Sequence, residues 1–330
     1  MVTSWYCLLW RLRIKRMNLS VRRTLFLVSL ACVVAYLYLQ AYPLFARSTR
    51  AVLSSTITDH DWRNLHHSSL TRTKTGNFIV VPDRCHSSSR GQFDTIYAQG
   101  TWGSKLGLPS DYYSYAHWPP HLSRKSSASG GGSELGIATE NSLEFIINVT
   151  RRFGAKSLLD IPCGDVNWIF DSYETDSLPV YVGLDISQAV LELNTRRFEH
   201  LSNKKFMFWD ATECPLPKFR NASNGAEQPF DLVHVRDVIQ HMNLSQGVQY
   251  MCNVLKSGAK VLITTTFPKG NNEHISEGEC YQNNLWSEPF SFPASDDCIP
   301  THPDIEADLT CAYDMTAGTW RQEYIKTKCS

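Results

Sequence analysis

The chain has 330 residues, a formal net charge of zero and 42% hydrophobic residues, which is enough for one or two globular domains with ordinary cores. The balanced charge gives no indication of a nucleic-acid partner, because such partners select basic surfaces. With 18 glycines and 15 prolines, the chain lacks the composition of a wholly disordered protein.

The first predicted element is an uncharged apolar stretch, Thr24–Ala46. A helix that rises ~1.5 Å per residue over this stretch is long enough for a hydrocarbon core of ~30 Å. Basic residues without an acidic one precede it, and mixed charges follow it. The positive-inside rule therefore predicts a single-pass type II membrane protein with residues 1–23 in the cytosol. A cleaved signal peptide is the alternative, but its leader is usually shorter.

Residues 47–90 are polar, rich in Ser, Thr and His, and without a clear period, so they predict a stem. Within them, Asp59-His60-Asp61 has the Asp-x-Asp form with which many glycosyltransferases hold a metal–nucleotide. No predicted strand precedes this triplet, and we interpret it as a chance occurrence.

Glycan acceptor sequons begin at Asn148, Asn221 and Asn243, in agreement with a lumenal body. Cysteines crowd residues 280–330, where disulfides in an oxidising compartment would staple an irregular C-terminal region. The cysteines concerned are Cys280, Cys298, Cys311 and Cys329. Their spacing is too wide and irregular for a zinc site, and the sequence gives no support for a metal elsewhere.

Residues 91–330 predict the folded domain, in which apolar runs alternate with segments of helical period. The runs cover residues 157–161, 180–185, 205–210, 230–235 and 260–267, and the helical segments cover 138–153, 188–200 and 242–255. Such alternation predicts parallel βα units, and hence an α/β fold with a doubly wound, mostly parallel sheet. Right-handed crossover connections between parallel strands place the carboxyl ends of these strands at one edge of the sheet.

Three successive runs end in aspartate, at Asp160, Asp185 and Asp210. In a doubly wound sheet these carboxylates point to one crevice, where an acid at the end of the second strand usually accepts from ribose hydroxyls. The turn after Asp160 has one glycine, Gly164, and lacks the fingerprints that cradle a pyrophosphate. A nucleoside ligand without phosphates fits better, and S-adenosylmethionine is such a ligand.

From about Phe93 to Ala294 the chain resembles a family of class I S-adenosylmethionine-dependent methyltransferases, many of them bacterial. The shared motifs, in chain order, are Phe93–Tyr97, Trp102-Gly103, Ser129–Ser133, the turn Asp160-Ile-Pro-Cys-Gly-Asp165 with Trp168, Arg236-Asp237 with His241, Thr265–Pro268, Asn272–Ile275 and Pro289–Pro293. The resemblance implies a Rossmann-like fold and S-adenosylmethionine as the cofactor.

Carried over by position, the resemblance implies a cofactor site. Asp160 and the backbone of Pro162, Cys163 and Gly164 would face the methionine moiety of the donor, and Asp165 would hold its ammonium group. Asp185 would bind the ribose hydroxyls, and Asp210 with Ala211 would meet the adenine amino group. Trp102 and Gly130–Ser133 would close over the donor. Cys163 itself is interpreted as a small buried residue.

A hydroxyl acceptor needs a general base. Asp237 and His241 follow the fourth strand at a spacing that would share a face on a helix start, so one is expected to be the base and the other to orient it. Arg236 would pair with a carboxylate nearby, and Glu273 and His274 are second candidates. The alternative is that Asp237 only caps the next helix and His241 only packs. His234, inside a strand, is interpreted as structural.

The antiparallel hairpin that ends a class I sheet is hard to place, because the tail after Cys311 is short.

Topology and resemblance together predict an O-methyltransferase of the Golgi lumen acting on a sugar of a glycoprotein or glycolipid glycan. The alternatives are a Golgi glycosyltransferase, a small-molecule or lipid methyltransferase, and a non-catalytic module on the same fold.

Overall fold

The structure, a computed structural model, describes residues 71–72, 78–80, 90–101, 127–221, 224–276, 279–302 and 308–329, all within the unit His67–Ser330. The predicted cytosolic tail, the predicted anchor Thr24–Ala46 and the Asp59-His60-Asp61 triplet lie outside these residues. No helix among the described residues is both long and apolar enough to cross a membrane.

The described elements follow in chain order. The helices are α1 Arg90–Gln99, α2 Ile137–Phe153, α3 Tyr173–Asp176, α4 Gln188–Phe198, α5 Leu244–Lys256 and α6 Trp320–Lys328. The strands are β1 Thr71–Arg72, β2 Phe78–Val80, β3 Ser157–Asp160, β4 Val180–Asp185, β5 Lys204–Phe208, β6 Lys218–Arg220, β7 Glu227–Gln228, β8 Leu232–Val235, β9 Val261–Thr266, β10 Cys298–Pro300 and β11 Leu309–Asp314. Two short 3-10 turns cover Gly131–Ser133 and Ile239–His241.

Seven strands form the main sheet, in the order β10-β11-β9-β8-β3-β4-β5. The five strands from β9 to β5 run parallel to one another, whereas β11 and β10 pair antiparallel. Every residue of β3, β4, β8 and β9 is buried, as expected where both faces of a parallel sheet are covered. The predicted α/β fold with a mostly parallel sheet is confirmed, and the element ends differ from prediction by a residue or two.

Alternate residues of the central strands contribute to two apolar cores. Leu158 of β3 and Leu232 of β8 belong to one core together with Ile146 of α2. Leu159 belongs to the other, together with Met251 of α5. This is the two-residue period of a strand, and it gives a sheet with helices packed on each face.

The strand order places a crevice beside β3. From β3 the chain moves outward to β4 and β5 on one side, and it then continues on the other side with β8 and β9. Such a reversal is a topological switch point, where connections leave the sheet in opposite directions and open a crevice at the carboxyl ends of the strands. The turn after Asp160 and the Arg236-Asp237 segment therefore face each other across it.

The antiparallel hairpin at the end of the sheet is complete, which corrects the expectation that it would be hard to place. β11 pairs with β9 from Leu309 opposite Thr266 onward, and β10 pairs with β11. Cys298 and Cys311 lie directly opposite each other in this hairpin and form a disulfide. The hairpin needs only the first residues of the tail, since β11 ends at Asp314, so the short tail did not limit it.

The C-terminal region is also more regular than expected, since it holds two strands and α6. A second disulfide joins Cys329, directly after α6, to Cys252 of α5. Three of the four cysteines predicted to staple this region are thus bonded, while Cys280 is a free, exposed thiol. The partner of Cys329 lies far back in the sequence, in a helix of the parallel part of the fold.

Part of the predicted stem belongs to a second, four-stranded antiparallel sheet of order β1-β2-β6-β7. Ile79 of β2 lies opposite Phe219 of β6 and is fully buried. Ile79 belongs to the apolar core that contains Leu159 and Met251, so burial of its side chain attaches β2 to the domain although its surroundings in the sequence are polar.

Candidate functional site

The turn after β3 is shaped by a cis peptide bond and a glycine. The Ile161–Pro162 bond is cis, and the backbone N–H of Cys163 donates to the carbonyl of Leu184 at 2.8 Å. Gly164 has φ of 53°, in the left-handed region, and a Cβ there would lie 2.3 Å from Oγ of Ser129. Glycine is therefore required at this position for its backbone and for its lack of a side chain. The Cys163 thiol is buried and free, as interpreted from the sequence.

Asp165, predicted to hold the donor's ammonium group, is hydrogen-bonded to the segment 127–129. Both its carboxylate oxygens accept from the Ser127 hydroxyl at 3.0 Å, and one accepts from the Ala128 N–H at 2.8 Å. Its own N–H donates to Oγ of Ser129 at 2.8 Å. Asp165 is only 2% exposed and fastens the segment 127–129 to the turn, and its contact with the donor's ammonium group stays a prediction.

Asp160 takes part in a buried network that the sequence did not indicate. Nδ1 of His234 donates to Oδ1 of Asp160 at 2.7 Å, and the Tyr181 hydroxyl donates to Oδ2 at 2.6 Å. His234 is 2% exposed, and its other ring nitrogen, Nε2, has no hydrogen-bond partner among the described residues. The ring of Trp168 meets the His234 ring edge to face, at 5.9 Å between centroids.

Asp185 and Asp210 are buried acceptors at or beyond the ends of the next two strands. Asp185 accepts from the N–H of Gly164 at 3.0 Å and from the N–H of Ser187 at 2.9 Å. Burial raises the pKa of Asp185 to about 6. Oδ1 of Asp210 accepts from the N–H and hydroxyl of Thr212, while its buried Oδ2 has no partner among the described residues. Ala211 next to it is buried.

Arg236 and Asp237 form the opposite wall of the crevice, beyond the end of β8. The Arg236 guanidinium donates to the carbonyl of Gly132 at 2.7 Å, lies 3.2 Å from Oδ2 of Asp237, and stacks 5.2 Å from the ring centroid of Trp168. Asp237 has a left-handed φ of 51°, which is uncommon for a residue with a side chain. Its N–H donates to Oγ1 of Thr265 at 3.0 Å, so the strand that follows in the sheet holds this turn in place.

His241 lies on the 3-10 turn Ile239–His241, and this corrects the expectation that it shares a helix start with Asp237. Helix α5 begins only at Leu244, where Asn243 is the N-cap and accepts from the N–H of Gln246. Nδ1 of His241 donates to the carbonyl of Glu279 at 2.9 Å, so the lone pair of the ring is on Nε2, toward which the side-chain amide of Gln240 donates at 3.5 Å. Burial lowers the pKa of His241.

A cavity of about 380 Å³ joins these walls. Its lining comprises Tyr97, Thr101, Ser129–Ser133, Asp160, Pro162, Cys163, Gly164, Val166, Trp168, Ile169, His234, Arg236, Asp237, Gln240 and His241. The volume is in the range of small-molecule sites. Predicted residues from both walls therefore share one cavity, whereas Asp165, Asp185, Asp210 and Ala211 lie outside its lining.

Several predicted residues have other placements. Trp102 lies outside the described residues, whereas the 3-10 turn Gly131–Ser133 lines the cavity. Glu273 and His274 are exposed and do not line it. The described residues contain no cluster of three or more His, Cys, Asp or Glu side chains arranged for a metal ion. His234, interpreted from the sequence as structural, also lines this cavity, and its only signal in the sequence is a polar residue within an apolar strand.

The stretch that forms this site is similar to a known domain. Residues 159–261, less than half of the chain, match a family described as "Methyltransferase domain". The match runs from within β3 to the first residue of β9, and it includes the turn, the three strand-end aspartates and the Asp237–His241 segment. A search of curated proteins finds no match to the chain.

Three solved structures give distant likenesses. The methyltransferase domain of bacterial CtHen1 is 17% identical over 39% of this chain and 67% of that one, with a TM-score of 0.33. Magnesium protoporphyrin IX methyltransferase from Synechocystis PCC 6803, with bound SAM, is 10% identical over 69% and 98%, with a TM-score of 0.43. CalS10, an amino pentose methyltransferase from Micromonospora echinaspora, is 18% identical over 38% and 50%, with a TM-score of 0.30.

Proposed function

We propose that this protein is an S-adenosylmethionine-dependent O-methyltransferase whose acceptor is a sugar hydroxyl of a glycan. The observation that carries the proposal is the cavity at the switch point, which brings the glycine turn after β3 together with Asp237 and His241. The methyltransferase-domain match over residues 159–261 supports the same reaction class. Methyl transfer needs a donor site, an aligned acceptor and a base. We assign the donor site to the wall on the β3–β5 side and the base to the opposite wall.

The buried acceptors on the β3–β5 side fit a donor that carries a nucleoside. Oδ2 of Asp210 is buried without a partner among the described residues, and a buried orphan acceptor is what an adenine amino group would satisfy. The Asp185 carboxylate lies against the glycine turn, where ribose hydroxyls are usually bound. When bound, S-adenosylmethionine supplies an electrophilic methyl group on a sulfonium centre.

On the other wall, His241 is the better general base. Its Nδ1 donates to a backbone carbonyl, so Nε2 carries the lone pair, and the lowered pKa keeps the ring neutral near neutral pH. The Asp237 carboxylate is instead paired with the Arg236 guanidinium, which lies 3.2 Å from its Oδ2. We therefore assign proton removal from the acceptor hydroxyl to Nε2 of His241 and acceptor orientation to Asp237.

The glycan acceptor is supported by the sequence rather than by the cavity. The predicted type II anchor would place the domain in the Golgi lumen, where glycans are the abundant hydroxylated acceptors. The sequons at Asn148 and Asn243 lie on an exposed position of α2 and at the half-buried N-cap of α5. Disulfides in the described domain agree with an oxidising compartment.

Two measurements test the proposal in turn. Calorimetric titration of the full-length protein should detect binding of S-adenosylmethionine and no binding of nucleotide sugars; the opposite result would favour the glycosyltransferase alternative. Mass spectrometry of glycans from cells with and without the protein should then show hexose or deoxyhexose units that gain the mass of one methylene group. Unchanged glycans in cells that express a donor-binding protein would refute the glycan acceptor while leaving the donor assignment intact.

A further inference from the structure

Nε2 of His234 is a buried polar atom of the cavity without a hydrogen-bond partner among the described residues. The ring is 2% exposed, and its Nδ1 donates to the Asp160 carboxylate, which can only accept. In the tautomer that this hydrogen bond selects, the lone pair of the ring lies on Nε2. Buried polar atoms are nearly always satisfied in native proteins, so a partner for Nε2 is expected from a ligand.

We propose that Nε2 of His234 accepts a hydrogen bond from the α-ammonium group of the methyl donor. This inference rests on the proposed function and assigns a donor-binding residue to it. The Asp160 carboxylate at 2.7 Å orients the ring and polarises it, which makes Nε2 a stronger acceptor, and the Tyr181 hydroxyl fixes the carboxylate in turn.

The position of His234 favours the donor over the acceptor hydroxyl. His234 is in register with Asp160 in the parallel pair β3–β8, beside the glycine turn. Asp237 lies farther along the chain, beyond the end of β8, and its side chain is 27% exposed, against 3% for His234. The least exposed part of the cavity is therefore at His234, and the more exposed part is at Asp237 and His241.

The charges around His234 favour an ammonium group over a carboxylate. Asp160 places a buried negative charge next to the ring, and a cationic ligand group offsets that charge. Arg236 is close to His234, because both side chains contact the ring of Trp168. The positive charge of Arg236 attracts the donor's carboxylate more strongly than the imidazole of His234 does. Asp165, the ammonium partner expected from the sequence, is occupied by Ser127 and Ala128.

The test combines a variant that lacks Nε2 of His234 with a ligand that lacks the α-amino group. Full-length wild type and His234→Asn are titrated with S-adenosylhomocysteine and with the same compound without its α-amino group. Asparagine can keep a donor near the Nδ1 position for Asp160 but has nothing at the position of Nε2. His200→Gln is the matched control, because His200 is exposed and does not line the cavity.

We expect wild type and His200→Gln to bind the deaminated compound about 10- to 100-fold more weakly than the parent, as for loss of a hydrogen bond to a charged group. His234→Asn should bind the parent more weakly by a similar factor and lose nothing further on deamination. A purely structural role predicts that the variant keeps the full loss on deamination, and that result would overturn the inference.

Equal binding of the two compounds by wild type would overturn it without any variant, so the test survives poor folding of His234→Asn. Wild type that binds neither compound would refute the proposed function as well. If wild type binds S-adenosylhomocysteine and His234→Asn still binds the deaminated compound more weakly than the parent, only the role of His234 is refuted.

Discussion

Replacing Gly164 with alanine tests whether the stability of the turn after β3 depends on its contacts with the segment 127–129. The new Cβ would lie 2.3 Å from Oγ and 3.0 Å from Cβ of Ser129, so Ser129 must move. Its Oγ accepts from the Asp165 N–H at 2.8 Å and lies 3.3 Å from Oδ1 of the same residue. Loss of these two bonds costs about 2–3 kcal/mol, and the left-handed φ of 53° costs an alanine about 1–2 kcal/mol more.

Gly154→Ala is the matched control, because Gly154 also has a left-handed φ, of 59°, but its added Cβ would meet nothing within 4 Å. We expect a loss of unfolding free energy of about 3–5 kcal/mol for Gly164→Ala and about 1–2 kcal/mol for the control. Urea unfolding of the full-length protein, followed by tryptophan fluorescence, measures both. Equal losses would refute the reasoning, since backbone strain alone would then explain the effect and the contact with Ser129 would count for nothing.

Three further predictions concern pH, proton transfer and the C-terminal disulfide. Since burial raises the pKa of Asp185 to about 6, its carboxylate becomes neutral as the pH falls below that value, and donor affinity measured by calorimetry should fall by up to about tenfold per pH unit. Asp185→Asn should remove this dependence, and an unchanged profile would contradict the assignment. His241→Asn should lower kcat by about 10²- to 10⁴-fold in a labelled-methyl assay with donor Kd nearly unchanged, and Asp237→Asn should have a smaller effect; the reverse ranking would make Asp237 the base. Replacing Cys252 and Cys329 with serine opens a disulfide with a sequence separation of 77 and should cost roughly 3–4 kcal/mol in urea unfolding; an unchanged midpoint would show that α6 is held by packing alone.

The sequence predicted the parallel strands well because their signal is local. Ser157–Asp160 and Val180–Asp185 are short apolar runs that end in an acid, and a fully buried strand needs just such a run. The regular alternation with helices then limits the topology to a doubly wound sheet, which brings the strand ends to one edge. The meeting of the glycine turn with Arg236 and Asp237 in one cavity could therefore be predicted without coordinates. The anchor and the glycan acceptor stay predictions, since they depend on residues and partners beyond the described domain.

The direction in which each polar side chain points was decided by the tertiary structure. Asp165 and Asp160 are close in the sequence, yet one binds Ser127 and the other binds His234 of β8. The second pairing exists only because the strand order makes β3 and β8 neighbours, although their residues are far apart in the chain. The cross-strand disulfide of Cys298 and Cys311 depends in the same way on the register of the hairpin. Periodicity determines which face of a strand is buried, but the partner of a buried polar group depends on which strand lies next to it, and the packing of the whole sheet sets that order.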